Sequence, residues 1–211
     1  MGINERKLRD KERRVAEILE AAKGLFLDKG YLHTTMLDIA ERSELSRRTI
    51  YLYFRSKEEI TFAVMVGSFG LLRDKLKEAV KKASTALGQL YRMKEAYFDF
   101  YRNHFDDFYS TLYFDLKLNT KNITTEDART CFNIITEIVQ LLSDVLQRGM
   151  EDKTLRPIEK VDRTAFTMAT IIMSTMQKAA IRKELLEYAT DFTEEEIISE
   201  MFDLLFLSVK H

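Results

Sequence analysis

The sequence of 211 residues contains one proline, seven glycines, one cysteine and no tryptophan. So few turn formers leave few places to reverse a strand, and a chain rich in Leu, Ile, Met, Ala, Glu, Lys and Arg reads as all-α. The lone cysteine, Cys131, excludes an internal disulfide and fits a reducing cytosol. No uncharged apolar run approaches the ~20 residues of a membrane helix. The first thirty residues are highly charged and hold no secretory core, so the expected location is the cytoplasm. His33, His104 and His211 show no metal-ligand spacing, and neither a glycine-rich phosphate loop nor a nucleophile elbow is present. Catalysis, a metal and a cofactor are therefore not expected.

What is present is 45% hydrophobic residues, enough for a sizeable core. The net charge of −1 conceals an asymmetry. Residues 1–57 hold 13 Lys+Arg against 9 Asp+Glu, and the remainder holds 20 against 25. A modest basic excess at the N-terminal end is either chance or the mark of a part that meets a polyanion.

Apolar residues at three- and four-residue steps predict a helix over 9–28, with Val15, Ile18, Leu19, Ala22, Leu25 and Phe26 on one face. Gly30 supplies its left-handed stop. Thr35 with Asp38 forms a capping box for a short helix ending near Ser43. Ser46 caps another over about 47–53, whose buried side is Ile50 and Phe54. Ser56 to Glu59 opens a long helix over 57–82. Further helices are expected near 85–103, 105–118, 125–149, 161–188 and 193–209, with Thr124…Asp127 and Thr193…Glu196 as capping boxes. No strand and no repeat is evident. Two helices of about eight residues cannot bury much alone, and 9–28 offers them a platform; this is the layout of a helix-turn-helix DNA-binding unit.

The segment Gly30-Tyr31-Leu32-His33-Thr34-Thr35-Met36-Leu37-Asp38-Ile39-Ala40 resembles the first half of the TetR-family signature. Leu45 to Ile60, with its run Thr49-Ile50-Tyr51-Leu52-Tyr53-Phe54-Arg55-Ser56-Lys57-Glu58-Glu59, resembles the second. The resemblance covers about residues 9–60. It implies an all-α protein, with a three-helix DNA-binding domain over 1–56 and a helical ligand-sensing and dimerisation domain over 57–211. Repression is the family's usual mode. Two departures stand out. Ser43-Glu44 replaces the usual Ala-Gly of the turn, so Glu44 either bears strain or the turn is built differently. Arg48 replaces a frequent glycine and adds a basic arm at the DNA-facing end.

With Ile50 and Phe54 inward, Arg47, Arg48, Thr49, Tyr51 and Tyr53 lie on the remaining surface. Arginine suits guanine O6 and N7. The resemblance implies Thr35, Tyr53 and Lys57 as clamps on the DNA backbone, and Ser46 stands at the same end of the reading helix. Thr35 and Ser46 serve equally well as caps, Tyr51 as packing, and the arginines as a solvated face.

Residues 91–114 carry Tyr91, Tyr97, Phe98, Phe100, Tyr101, Phe105, Phe108, Tyr109, Tyr113 and Phe114, more aromatic surface than one helix face needs. They are either core or the wall of a cavity. The resemblance implies an inducer pocket here for a mainly apolar or aromatic ligand, with Phe69, Tyr97, Phe98, Tyr101, Phe105, Phe108, Tyr109 and Tyr113 as candidates. Arg102, His104, Asp106 and Asp107 either hold a polar end of that ligand or form a solvated turn. Residues 165–181 and 197–209 are apolar nearly all round, so both need cover on every side. Phe166, Ile172, Met173, Met176, Met201, Leu204 and Leu205 are the candidates for a two-fold interface, which would present two reading helices to a pseudo-palindromic operator in double-stranded DNA. Gly67 and Gly70 either permit close packing or form a hinge. A helical adaptor that binds protein alone is the rival reading.

Overall fold

The computed structural model describes residues 3–113 and 126–211, with side chains from residue 5. Among these residues ten helices follow one another: α1 Ile3–Lys29, α2 Met36–Arg42, α3 Arg47–Tyr53, α4 Lys57–Val80, α5 Ala86–Asn103, α6 Phe105–Ser110, α7 Glu126–Glu151, α8 Val161–Ile181, α9 Lys183–Ala189 and α10 Glu194–Val209. The described residues contain no strand, only an isolated antiparallel bridge between Leu155 and Lys210. No helix among them is long and apolar enough to cross a membrane, and no acidic, His or Cys group there could hold a metal.

The chain divides into two compact units. The first comprises residues 1–70 and 104–133, the second 71–103 and 134–211. α4 begins at Lys57 as its cap predicts, but the division falls inside that helix, after Gly70. In the first unit α1 packs on α2 and α6, and α2 on α3. Ile18, Ala22, Phe26, Ile39, Ile50, Ile60 and Phe108 have no more than 2% of their surface exposed and form its core. In the second unit α8 packs on α10, with Tyr97, Phe100, Leu146, Met176, Ile198 and Phe202 fully buried.

Two boundaries differ from expectation. The helix expected over 161–188 is interrupted at Arg182 (φ −100°, ψ 12°), where α8 ends and α9 starts. None of the residues of α9 is buried. The helix expected over 105–118 is capped at Thr111; Phe114 and the Thr124 half of the expected capping box lie outside the described residues.

Candidate nucleic-acid interface

The two short helices α2 and α3 are each started by a side chain. Thr35 Oγ1 accepts from the Asp38 N–H at 3.2 Å, and Asp38 Oδ2 accepts from the Thr35 N–H at 2.6 Å. Lys29 Nζ lies 2.7 Å from the same carboxylate. The lysine hydrogen bond, then those from Thr35, hold the Asp38 carboxyl down at about 2. At α3, Ser46 Oγ accepts from the Thr49 N–H at 3.0 Å, and the two hydroxyls are 2.8 Å apart. The expected cap roles of Thr35 and Ser46 are thus both present.

Between these helices Glu44 takes the left-handed conformation, φ 54°. The Leu45 N–H donates to the Ala40 carbonyl at 3.0 Å and the Glu44 N–H to Glu41 at 3.1 Å. Together they satisfy the last carbonyls of α2 in a Schellman cap. The turn therefore keeps the geometry a glycine would adopt, and Glu44 carries the strain, about 1–2 kcal/mol for a residue with a Cβ. Gly30, the stop of α1, is also left-handed at φ 80°.

Ile50 is fully buried on the inner side of α3. Arg47, Arg48 and Tyr51 are exposed, while Thr49 and Tyr53 are partly covered. The helix carries two arginines and no acid. The Arg47 guanidinium stands over the Tyr51 ring, 5.7 Å from its centre, which fixes two long side chains against each other.

Lys57 makes contacts that periodicity does not imply. Its ammonium donates to the Tyr31 and Thr34 carbonyls, both at 2.7 Å, and stands 4.2 Å from the centre of the Tyr31 ring. These bonds make Lys57 a brace between α4 and the loop before α2. Tyr31 completes the brace by donating to Glu58 Oε1 at 3.0 Å. Sequence periodicity is blind to this arrangement, because the carbonyls lie more than twenty residues away.

The aromatic residues expected around a ligand divide between the two units. In the first, Phe105 packs on Phe108 and Tyr109, Tyr109 on Tyr113, and Tyr113 on Phe26 and Tyr31. Phe69 is buried there too. The Tyr113 hydroxyl donates to the Phe26 carbonyl at 2.9 Å. Asp107, weighed as a ligand group or a solvated turn, is tied to Lys23 at 3.2 Å and Ser68 at 3.0 Å. In the second unit Tyr97 and Phe98 pack on Phe202, Tyr101 is buried, and Arg102 pairs with Glu195. An open groove of about 760 Å³ runs between α5 and α10. Of the candidates, Phe98 alone lines it, beside Arg102 and Glu195.

The expected two-fold face needs correction. Ile172, Met176 and Met201 are at most 8% exposed within the subunit, so they belong to its own core. Met173 and Leu205 are partly covered. Phe166 and Leu204 are exposed, and Ile171 and Leu207 join them on the outer sides of α8 and α10. Those last two were not candidates, because a helix apolar all round does not reveal which side its own subunit covers.

Comparison with known proteins agrees with this geometry. Residues 18–64 match the family model described as bacterial regulatory proteins, tetR family. An uncharacterised helix-turn-helix regulator of Bacillus subtilis, YfiR, is 56% identical over 50 residues, which is 24% of each chain. The matched segments span less than half the length of the first curated relatives. Over the whole fold, FadR of Bacillus subtilis, crystallised with stearoyl-CoA, superposes with a TM-score of 0.71 at 18% identity, covering 90% of this chain and 97% of that one. AibR, crystallised with isovaleryl coenzyme A and operator DNA, gives 0.69 at 20% identity, covering 92% and 98%. Residues 18–64 thus carry the match to the tetR family of bacterial regulatory proteins, and the fold of the whole chain is that of solved TetR-family regulators.

Proposed function

We propose that the protein is a cytoplasmic, sequence-specific DNA-binding regulator of transcription, a homodimeric repressor released from its operator by a mainly apolar or aromatic small molecule. The observation that carries this reading is α3: an exposed helix with two arginines and no acid, started by Ser46 and held outward by buried Ile50. The Arg47–Tyr51 pair and Arg48 supply donors for base edges and phosphates. The apolar surface of Phe166, Ile171, Leu204 and Leu207 supports a two-fold pairing through α8 and α10. The ligand class rests on the aromatic residues of α5 and α6 and on relatives crystallised with acyl thioesters of coenzyme A.

The test is selection of duplexes from a random library, followed by gel shifts at rising salt. The parent is expected to enrich a pseudo-palindrome, to lose affinity steeply with salt, and to release it on addition of stearoyl-CoA. Replacing Arg47 and Arg48 with alanine is expected to abolish selectivity and leave the fold intact, each bidentate contact being worth roughly 1–3 kcal/mol. A double variant that still prefers the selected duplex as strongly as the parent overturns the assignment.

A further inference from the structure

α3 exposes one large aliphatic residue among its charged and aromatic ones. Leu52 has 76% of its surface exposed, although it sits in a helix whose neighbours are otherwise polar or inward. At ~100° per residue it stands about 200° from Ile50, on the side of the helix opposite the core. Arg48, one turn earlier, shares that side. No hydrogen bond, ion pair or ring contact engages the Arg48 side chain among the described residues, whereas Arg47 is held over Tyr51. The outermost point of the reading helix is thus a leucine with an uncommitted arginine beside it.

A leucine in that place gains free energy from any apolar partner that takes it out of water. Within a major groove the one apolar group on a base edge is the C5-methyl of thymine. A seven-residue helix is roughly 10 Å long, so its sixth residue is still inside a groove ~12 Å wide. We infer that Leu52 reads a thymine methyl in each half-site, beside the base read by Arg48. The inference rests on the DNA-reading role proposed above. It makes Leu52 a specificity determinant that acts through apolar contact and not through charge.

Uracil substitution tests it, because deoxyuridine removes only the methyl and keeps every hydrogen-bonding group. The probe is the duplex enriched by the parent protein, with each thymine of both half-sites replaced in turn, at fixed salt. At one position per half-site the parent is expected to lose about fourfold in affinity, roughly the worth of one buried methylene-sized group. Leu52→Ala is expected to bind the thymine and uracil duplexes equally at that position, while still preferring the arginine-read bases. Leu52→Gln, which keeps the reach but not the apolar character, is expected to behave in the same way. If every substitution costs parent and variants alike, Leu52 does not read a methyl. If Leu52→Ala instead changes the sedimentation of the protein, the residue belongs to an interface between copies, and the inference falls. Failure to enrich any duplex overturns the DNA-reading proposal itself, which separates the two.

Discussion

Leu155 fills the place where a side chain on Gly149 would stand. A methyl built on that glycine overlaps Leu155 Cγ and Cδ1, and Leu155 is 1% exposed. The Leu155 N–H donates to the Gly149 carbonyl at 2.9 Å, and the next residue, Arg156, donates to Val209. The end of α7 is thereby locked to the end of α10. Gly149→Ala is expected to destabilise the protein by about 1–2 kcal/mol, as overpacking outweighs the gain in helix propensity. Urea denaturation at neutral pH checks this, and a variant as stable as the parent refutes it.

Gly67 and Gly70 make the opposite case. Apart from their own stretch of helix, no described atom lies within 4 Å of a Cβ placed on either, so close packing does not account for them. Alanine at each is expected to raise stability by roughly 0.5–1 kcal/mol. With packing set aside, the hinge reading makes a second claim: the double variant should hold DNA while responding less to stearoyl-CoA. Thermal melts and ligand-release gel shifts measure the two effects separately.

Lys57 distinguishes a brace from a phosphate clamp. Lys57→Ala is expected to lower stability by about 2 kcal/mol, since hydrogen bonds to charged groups are worth about 1.5–3. The slope of log K against log salt should remain that of the parent. A slope shallower by about one unit, with stability unchanged, would restore the phosphate contact.

Asp38 ties acid sensitivity to the cap of α2. Its folded pKa is depressed from 3.8 to about 2 by Lys29 and Thr35. A depressed carboxyl stabilises the fold above its unfolded pKa, and that contribution is lost as pH falls through the folded value. Asp38→Asn is therefore expected to be less stable than the parent at pH 7, with the difference shrinking between about pH 4 and pH 2. Denaturation series at pH 7, 4 and 2.5 check the trend. A constant difference across them would show that the charge is not what the cap uses.

The pairing face is tested by sedimentation at micromolar concentration. The parent is expected to be a dimer without DNA or ligand. Phe166→Glu with Leu204→Glu is expected to give a folded monomer, because both residues are on the outer surface. Ile172→Glu should unfold the protein instead, a buried unpaired charge costing several kcal/mol. A well-folded parent monomer removes the two-fold bundle.

Helix starts were legible because a cap acts within three residues: Thr35 with Asp38, Ser46 with Thr49, and Thr193 with Glu196 all form the bonds their spacing implies. The inward set of the N-terminal unit, Ile18, Phe26 and Ile50, followed from periodicity for the same local reason. Leu52 was not among the residues expected on the outer surface, although it lies opposite Ile50 on the helix. Other features depended on partners distant in the chain. Glu44 adopts φ 54° although its residue type favours other conformations, because the carbonyls of α2 need its N–H and that of Leu45. Lys57 turns to carbonyls 23 and 26 residues away. Ile172 lies inward and Ile171 outward on a helix apolar on both sides. Local chemistry sets where a helix begins and which residues can be buried, whereas the choice among several buriable faces is made by whatever the rest of the fold brings against them.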